Sequence, residues 1–183
     1  KGHLTSILTD NAIDYLEDRA NSNDPWFLNL WYFAPHDPMQ PDKAFAEKHP
    51  DDDAGKYYAL LEQVDTEIGR LVGKLEQLGL HDDTLLVIVS DNGAKSRATK
   101  GNHPFIGGKS SFHEGAFRTP LLVRWPGRIE SGVVEDKLAS IQDIFPTLAT
   151  AAGADVPLDI VGRDLFGADP APRELFWEWK DSS

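Results

Sequence analysis

The chain has 183 residues, is 40% hydrophobic and 26% charged, and carries a formal net charge of −12. This composition is typical of a soluble globular domain with a sizeable core, and no apolar run approaches the length of a membrane span. The acidic balance argues against a nucleic-acid partner, which needs a basic face. The absence of cysteine excludes disulfides, thiolate metal ligands and a cysteine nucleophile from this chain.

Hydrophobic patterning predicts alternating helices and strands along the chain. A long helix is indicated by apolar residues that recur at alternating spacings of four and three from Tyr57 to Leu78, with Gly79 placed just beyond the helix end. The runs at 26–33 and 84–90 are apolar on both faces, which is typical of buried strands. In chain order, the predicted elements are a helix over 9–20, a strand over 26–33, the helix over about 54–78, a strand over 84–90, a strand over 119–125, a helix over 140–152 and a strand over 174–179.

The order strand 26–33, helix 54–78 and strand 84–90 predicts a βαβ unit with two parallel strands. We therefore expect an α/β fold with a mainly parallel sheet flanked by helices. Ligands bind such sheets just beyond the carboxyl ends of the strands. The polar residues that follow the two strands should consequently emerge on one edge.

Those polar residues are His36 after the first strand and Asp91 and Asn92 after the second. Asp91 and Asn92 offer the oxygen ligands that a hard cation prefers, although an ordinary turn uses the same residue types. His36 lies between Pro35 and Pro38, which restrict the loop backbone and suit a positioned side chain. The alternative for His36 is a surface histidine in a proline-rich loop.

Residues 94–118 form a long stretch without a regular pattern, which in a compact domain usually serves a function. Gly107 and Gly108 allow close approach of the backbone to another group, and Lys109 follows them as a candidate partner for an oxyanion. Solvent exposure is the alternative for this lysine. The basic residues of the stretch are Lys95, Arg97, Lys100, His103 and Lys109.

Six short motifs occur in an order that resembles the sulfatases of the alkaline phosphatase superfamily. They are Pro-Trp-Phe-Leu-Asn-Leu (25–30), Ala-Pro-His-Asp-Pro (34–38), Ser-Asp-Asn-Gly (90–93), Gly-Gly-Lys (107–109), Glu-Gly-Ala-Phe-Arg-Thr-Pro (114–120) and Asp-Ile-Phe-Pro-Thr-Leu (143–148). The resemblance covers nearly the whole chain and implies the middle-to-late part of the catalytic domain. Residues 1–183 would then be a partial catalytic domain, with the smaller C-terminal subdomain starting after about 173.

The resemblance implies a role for each candidate residue. Asp91 and Asn92 would ligate one divalent cation, Ca²⁺ by expectation and Mg²⁺ as the alternative. His36 would contact the sulfate ester oxygen, and Lys109 would bind sulfate and assist departure of the leaving oxygen.

Residues around this centre receive supporting roles from the same resemblance. Glu114 and Arg118 would hold the loop that bears Lys109. His103 and His113 would lie on the substrate side.

The family's nucleophile is a formylglycine made in a Cys/Ser-X-Pro-X-Arg motif, and this chain has no such motif. The paired aspartates that complete the family's metal site are also absent. Because the chain begins Lys1-Gly2-His3 and stops just after a strand-like segment, we expect a fragment cut at both ends. It should not turn over alone, and its partner would be the N-terminal half of the same domain.

Three functions remain open from the sequence. The first is part of a sulfuric ester hydrolase that acts on a sulfated sugar or aryl sulfate. The second is a phosphodiesterase or phosphonate hydrolase on the same fold, because a fold does not fix the reaction. The third is a non-catalytic sulfatase-like module. Family resemblance alone implies a periplasmic, secreted or lysosomal location.

Overall fold

The computed structural model describes residues 2–95, 101–168 and 172–178. It divides into two compact units, residues 1–131 and 132–183. Arg97 and Lys100 of the basic stretch, and the end of the predicted last strand, lie outside the described residues. None of the helices in the described ranges is both long and apolar enough to cross a membrane.

The first unit is built on two packed helices. Helix α1 spans Leu4–Arg19, longer at its start than the predicted 9–20, because His3 caps it by accepting a hydrogen bond from the Thr5 amide. Helix α2 is a single turn, Lys43–Ala46, and helix α3 spans Asp53–Gln77, which confirms the predicted long helix. The Asp52 carboxylate caps α3, and Gly79 follows its end with a φ of +69°.

The core of this unit lies between α1 and α3. Its buried apolar residues are Ala12, Leu16, Leu71 and Leu75. The predicted apolar stripe of α3 is wrong for the first half of the helix, where Leu61 is 37% exposed. The buried face there holds Ala59, Leu60, Gln63 and Glu67.

Buried polar residues of α3 are tolerated because each has partners. Glu67 accepts hydrogen bonds from Ser6 of α1 at 2.8 Å and from Arg70 at 2.5 Å. Arg70 also pairs with Asp10 of α1 at 2.7 Å. The two helices are therefore joined by an ion-pair network as well as by apolar contacts.

Residues 26–33 were predicted to be a strand, and this prediction is wrong. The segment is extended but pairs with no strand in the described part of the chain, and a strand requires ladder hydrogen bonds. Its side chains alternate: Trp26, Leu28 and Leu30 pack on the helical core. On the other face, Phe27 and Trp31 are 67% and 77% exposed. The βαβ inference fails for the same reason.

The sheet within the described ranges has two strands, β1 (Leu86–Val89) and β2 (Leu121–Arg124). They pair antiparallel, with Leu86 opposite Arg124 and Val89 opposite Leu121. Both strands were predicted, but the parallel arrangement of β1 with residues 26–33 is not formed. Arg124 continues the contact beyond the strands by donating to the His81 carbonyl oxygen at 2.8 Å.

Between the strands, residues 101–120 contain turns and one short helix, α4 (Glu114–Phe117). This agrees with the prediction of a long stretch with little regular pattern. The peptide bonds Ala34–Pro35, Asp37–Pro38 and His103–Pro104 are cis.

The second unit contains a 3₁₀ turn, Ile141–Asp143, followed by α5, Ile144–Ala151, which confirms the predicted helix. Asp143 is 1% exposed and accepts hydrogen bonds from Ser140, Arg163 and Arg173. Burial alone would raise the pKa of Asp143, but these donors hold it below its usual range. Residues 172–178 form no strand, so the prediction of a strand there is wrong for the described residues.

Candidate active site

Three loops of the first unit converge at the ends of the elements that precede them. Lys95, which follows β1, pairs with Asp37 in the loop after the extended segment, with 3.2 Å between Nζ and Oδ2. The Lys109 amide donates to the Ala94 carbonyl oxygen at 3.2 Å. These two contacts bring the loop 34–38, the loop 90–95 and the Lys109 loop together.

Asp91 and Asn92 form a compact turn directly after β1. The Asn92 amide donates to Asp91 Oδ1 at 2.9 Å, and Asn92 Nδ2 donates to the Gly93 carbonyl oxygen at 3.0 Å. Ser90 Oγ closes the turn by donating to the Asn92 carbonyl oxygen. Within the described ranges, Asp91 Oδ2 and Asn92 Oδ1 have no hydrogen-bond partner. Within that part of the chain, the turn therefore presents one carboxylate oxygen and one amide oxygen that accept no hydrogen bond.

Gly93 is the point at which this turn passes close to the start of α4. Its amide donates to the Ala116 carbonyl oxygen at 3.0 Å. A Cβ at position 93 would lie 1.8 Å from the Gly115 carbonyl oxygen, which no side chain tolerates. Glycine is required here so that the two backbones can touch.

His36 is exposed and has a defined orientation. Its Nδ1 lies 2.8 Å from the Asp37 carbonyl oxygen, and its ring centroid lies 5.2 Å from that of Phe33. A carbonyl oxygen only accepts, so the geometry assigns the proton to Nδ1. The Nε2 atom therefore faces away from this bond and is available to another group.

Lys109 is partly buried and lies in a tight turn. Gly107 and Ser110 have positive φ values of +81° and +69°. Ser111 Oγ donates to the Gly108 carbonyl oxygen at 2.8 Å and closes the turn. The Lys109 ammonium has no ion pair among the residues that the structure describes, so its charge is not neutralised there.

Glu114 and Arg118, the predicted supporting residues, lie at the two ends of α4. Arg118 donates to Glu114 at 2.7 Å, one helical turn apart, and its guanidinium lies 4.7 Å from the centre of the Phe105 ring. Both charged side chains are exposed. This contact connects α4 to the residues just before Gly107, in line with the predicted supporting role, which stays a prediction.

The two histidines predicted on the substrate side, His103 and His113, differ in position. His113 immediately precedes α4 and lies against Gly107, where an added Cβ would be 2.4 Å from His113 Cβ. His103 is exposed, and no hydrogen bond joins it to His36, Asp91 or Lys109 in the described ranges. Its substrate-side role stays a prediction.

Sequence reasoning gave no role to Asp37, Lys95 or Asn102. Asp37 and Lys95 form the ion pair between two loops, and Asn102 bonds to both Ala94 and Gly107. The signal for Asp37 and Lys95 was their opposite charge beside two candidate motifs. Asn102 carried no local signal, since an asparagine before His-Pro is typical of an ordinary turn.

No compact group of three or more histidine or acidic side chains suitable for a metal exists among the described residues. Asp91 and Asn92 have the donor chemistry of a hard-cation site, but they are two ligands where Ca²⁺ takes six to eight oxygens. They fit part of such a site.

The family model described as Sulfatase matches residues 1–154 of this chain. The chain belongs to the sulfatase family. It is 34% identical to N-acetylgalactosamine-6-sulfatase of Sus scrofa over 174 residues, which covers 92% of this chain and 33% of that protein. It is 37% identical to steryl-sulfatase of Mus musculus over 174 residues, covering 90% of this chain and 27% of that protein. This sulfatase chain thus spans a third or less of the length of each of these two relatives.

Solved structures give the same result. The crystal structure of Ps i-CgsB in complex with k-i-k-neocarrahexaose superposes with a TM-score of 0.86 at 32% identity, covering 91% of this chain and 38% of that chain. Phosphonate monoester hydrolase SpPMH from Silicibacter pomeroyi, at 24% identity and a TM-score of 0.69, shows likeness of fold alone. The predicted α/β fold class of the alkaline phosphatase and sulfatase type is confirmed.

Proposed function

We propose that the protein to which this sulfatase chain belongs hydrolyses sulfate monoesters, and that the loops 34–38, 90–95 and 107–109 form one wall of its active site. The observation that carries the proposal is the convergence of these loops through the Lys95–Asp37 pair and the bond from Lys109 to Ala94. Family membership supports the reaction class, because each of the three loops contains one of the motifs that the resemblance rests on.

Asp91 and Asn92 would hold a divalent cation, Ca²⁺ by preference and Mg²⁺ as the alternative. The chemistry of their side-chain oxygens supports this role, since carboxylate and amide oxygens suit hard cations. The remaining ligands would come from parts of the protein outside this chain. When bound, such a cation supplies charge stabilisation and lowers the pKa of a ligated hydroxyl group.

A formylglycine hydrate, also supplied from outside this chain, would provide the nucleophile for cleavage of the sulfate ester. The residues of this chain would bind and orient the sulfate group for that cleavage. They would also assist release of the alcohol.

His36 would contact the ester oxygen through Nε2. Because Nδ1 donates to the Asp37 carbonyl oxygen, Nε2 carries a proton only when the imidazole is doubly protonated. A protonated His36 would donate to the leaving oxygen as the ester bond breaks, and it would return to the neutral form on release of the alcohol.

Lys109 would bind the sulfate oxygens and stabilise the charge that develops on the leaving oxygen. Its ammonium is not neutralised by a described acidic side chain, and its backbone is fixed by a tight turn. A fixed cation beside developing charge lowers the barrier without reorganising during the reaction.

The substrate is proposed as a sulfate ester of a carbohydrate or of an aryl alcohol. The relatives are named for a sugar sulfate and for steryl sulfate, and Ps i-CgsB was solved with an oligosaccharide. These names support a sulfate monoester but do not choose the alcohol. A periplasmic, secreted or lysosomal location is proposed on family resemblance.

The test uses the full-length protein with 4-nitrophenyl sulfate, 4-nitrophenyl phosphate and a phenylphosphonate ester. We expect the sulfate to be the preferred substrate, and we expect Lys109→Ala to lower kcat about 100-fold or more while changing KM less. Lys43→Ala is the matched control, because Lys43 is 87% exposed and pairs with Glu47 on its own helical turn.

Two results would contradict the proposal. Preference for the phosphonate or phosphate ester would favour a phosphonate hydrolase or phosphodiesterase. No turnover of any ester by a full-length protein with intact fold and bound cation would favour a non-catalytic module.

A further inference from the structure

Asn102 makes three hydrogen bonds that connect the two halves of the proposed site. Its Oδ1 accepts from the Ala94 amide at 2.8 Å, and its Nδ2 donates to the Ala94 carbonyl oxygen at 2.8 Å. Nδ2 also donates to the Gly107 carbonyl oxygen at 2.9 Å. The amide thus donates to carbonyl oxygens of two different loops.

The bonds of Asn102 end on the residues that position the proposed functional groups. Ala94 lies two residues after Asn92, and Gly107 lies two residues before Lys109. The Ala94 carbonyl oxygen also accepts the Lys109 amide at 3.2 Å, so one carbonyl oxygen receives both Asn102 and Lys109. The side chain thus bridges the cation-binding turn and the lysine turn.

Two glycines make room for this side chain. A Cβ at Gly93 would lie 3.2 Å from Asn102 Oδ1, and a Cβ at Gly115 would lie 3.1 Å from Asn102 Cβ. Asn102 is partly buried between these backbones. The space between these backbones therefore accommodates a short planar amide. Three hydrogen bonds fix the orientation of that amide.

We propose that Asn102 is a positioning residue that sets the distance between the Asp91–Asn92 turn and Lys109. The proposal rests on the proposed function, since it concerns the alignment of Lys109 with the cation-binding turn. Asn102 touches no reacting atom and acts only through Ala94 and Gly107. Only an amide of this length satisfies the site, because it must both accept from an N–H and donate to two carbonyl oxygens.

Aspartate at position 102 keeps the size of the side chain but places a carboxylate against two carbonyl oxygens. Alanine removes all three bonds. Glutamine keeps the donors and the acceptor but adds a methylene in a space bounded by two backbones. We expect both Asn102→Ala and Asn102→Asp to lower kcat about 100-fold, as a misplacement of about 1 Å can, with a smaller change in KM. Asn102→Gln should lose less.

The experiment measures kcat and KM of the full-length protein with 4-nitrophenyl sulfate, together with hydrogen exchange of the peptide 103–110. Variants are Asn102→Ala, Asn102→Asp, Asn102→Gln, Lys109→Ala and the double variant Asn102→Ala/Lys109→Ala. Asn21→Ala is the matched control, because Asn21 is exposed and has one long bond of 3.4 Å to the Glu17 carbonyl oxygen. We expect faster exchange in 103–110 for Asn102→Ala and no change for Asn21→Ala.

The double variant separates positioning from a general loss of structure. If Asn102 acts through Lys109, the double variant should have the kcat of Lys109→Ala within about twofold, whereas independent effects would multiply. Multiplying effects, or unchanged exchange in 103–110, would overturn the positioning role.

The outcomes also separate this inference from the proposed function. An unchanged kcat in Asn102→Ala beside a large loss in Lys109→Ala would overturn the role of Asn102 and leave the proposed function standing. An unchanged kcat in Lys109→Ala would remove the proposed role of Lys109, and the positioning role would fall with it.

Discussion

The helix pair α1–α3 and the loops of residues 90–95 and 101–118 belong to the same unit but are held together differently. The helices meet through apolar side chains such as Leu16 and Leu75, and through ion pairs such as Arg70 with Asp10. The loops meet through backbone bonds, of which Gly93 to Ala116 is one example. Glycines stand at the places where the loop backbones touch.

The two regions should therefore tolerate different substitutions. In the helix pair, side-chain volume fills the interface, so a smaller residue leaves a cavity. In the loops, missing volume allows backbone contact, so a larger residue forces the backbones apart. The loop arrangement leaves the Asp91 carboxylate and the His36 ring exposed, as a site requires. Substitutions should consequently affect stability in the first region and activity in the second.

The largest expected effect on activity comes from Gly93→Ala. The added Cβ would lie 1.8 Å from the Gly115 carbonyl oxygen, so the Asp91–Asn92 turn must move. We expect kcat of the full-length protein to fall at least about 100-fold. Gly69→Ala is the control, because nothing lies within 4 Å of its added Cβ and the helix gains up to about 1 kcal/mol. Equal activity of the two variants would contradict the comparison.

Leu16→Ala tests the helical side of the comparison. Leu16 is 1% exposed in the core, and we expect a loss of about 2–5 kcal/mol in the free energy of unfolding. Hydrogen exchange of α1 and α3 measures this loss directly. Leu4→Ala is the control, since Leu4 is 50% exposed. A fall in kcat per folded molecule as large as that of Gly93→Ala would break the separation between the two regions.

Tyr32→Phe tests the contact of the extended segment with α1. Thr9 Oγ1 donates to the Thr5 carbonyl oxygen, so the Tyr32 hydroxyl donates to Thr9 at 2.8 Å. Losing this bond should cost about 1 kcal/mol of stability. Tyr58→Phe is the control, because Tyr58 is 40% exposed.

The same variant carries a pH dependence. Burial raises the pKa of Tyr32 above its usual value of 10.0. A raised folded pKa contributes stability that is fully present below pH 10 and is lost as pH rises through the folded value. Tyr32→Phe should therefore lose less stability above pH 10 than the unmodified protein. An identical alkaline decline in both would contradict this reading.

The smallest expected effect comes from Lys95→Ala. The Lys95–Asp37 pair is exposed, and such pairs contribute about 0–1 kcal/mol. We expect kcat to fall less than about tenfold and the effect to shrink at high salt. Lys56→Ala is the control, because Lys56 pairs with the exposed Asp51 away from the loops. A loss as large as that of Gly93→Ala would mean that this ion pair, and not the backbone bonds, aligns the loops.

The sequence predicted those features that depend on local pattern. The long helix and both strands of the sheet follow from periodicity. The convergence of the His36 and Asp91 loops was predicted from a parallel βαβ unit, which the described residues do not form. The strand at 26–33 was wrong because pairing depends on a neighbour that periodicity does not reveal. Asn102 was missed because its role depends on Ala94 and Gly107, which only the folded loop brings to it.

The buried face of α3 shows the same limit. Gln63 and Glu67 are buried because distant partners satisfy them: Asp42 bonds Gln63, and Ser6 bonds Glu67. Hydrophobic spacing alone had predicted Leu61 on the buried face of α3. Patterns therefore predict elements well, but the partners of a buried polar side chain are set by the tertiary fold.

We propose that Asp91 and Asn92 supply part of a cation site on the converged loops. Calorimetric titration of the chelator-treated full-length protein with Ca²⁺ tests it most directly, with Asp91→Ala as the variant and the exposed Asp65→Ala as its control. We predict one bound cation per chain in the unmodified protein and the control, and affinity about 100-fold weaker or lost in Asp91→Ala. Unchanged Ca²⁺ binding in Asp91→Ala would contradict the account.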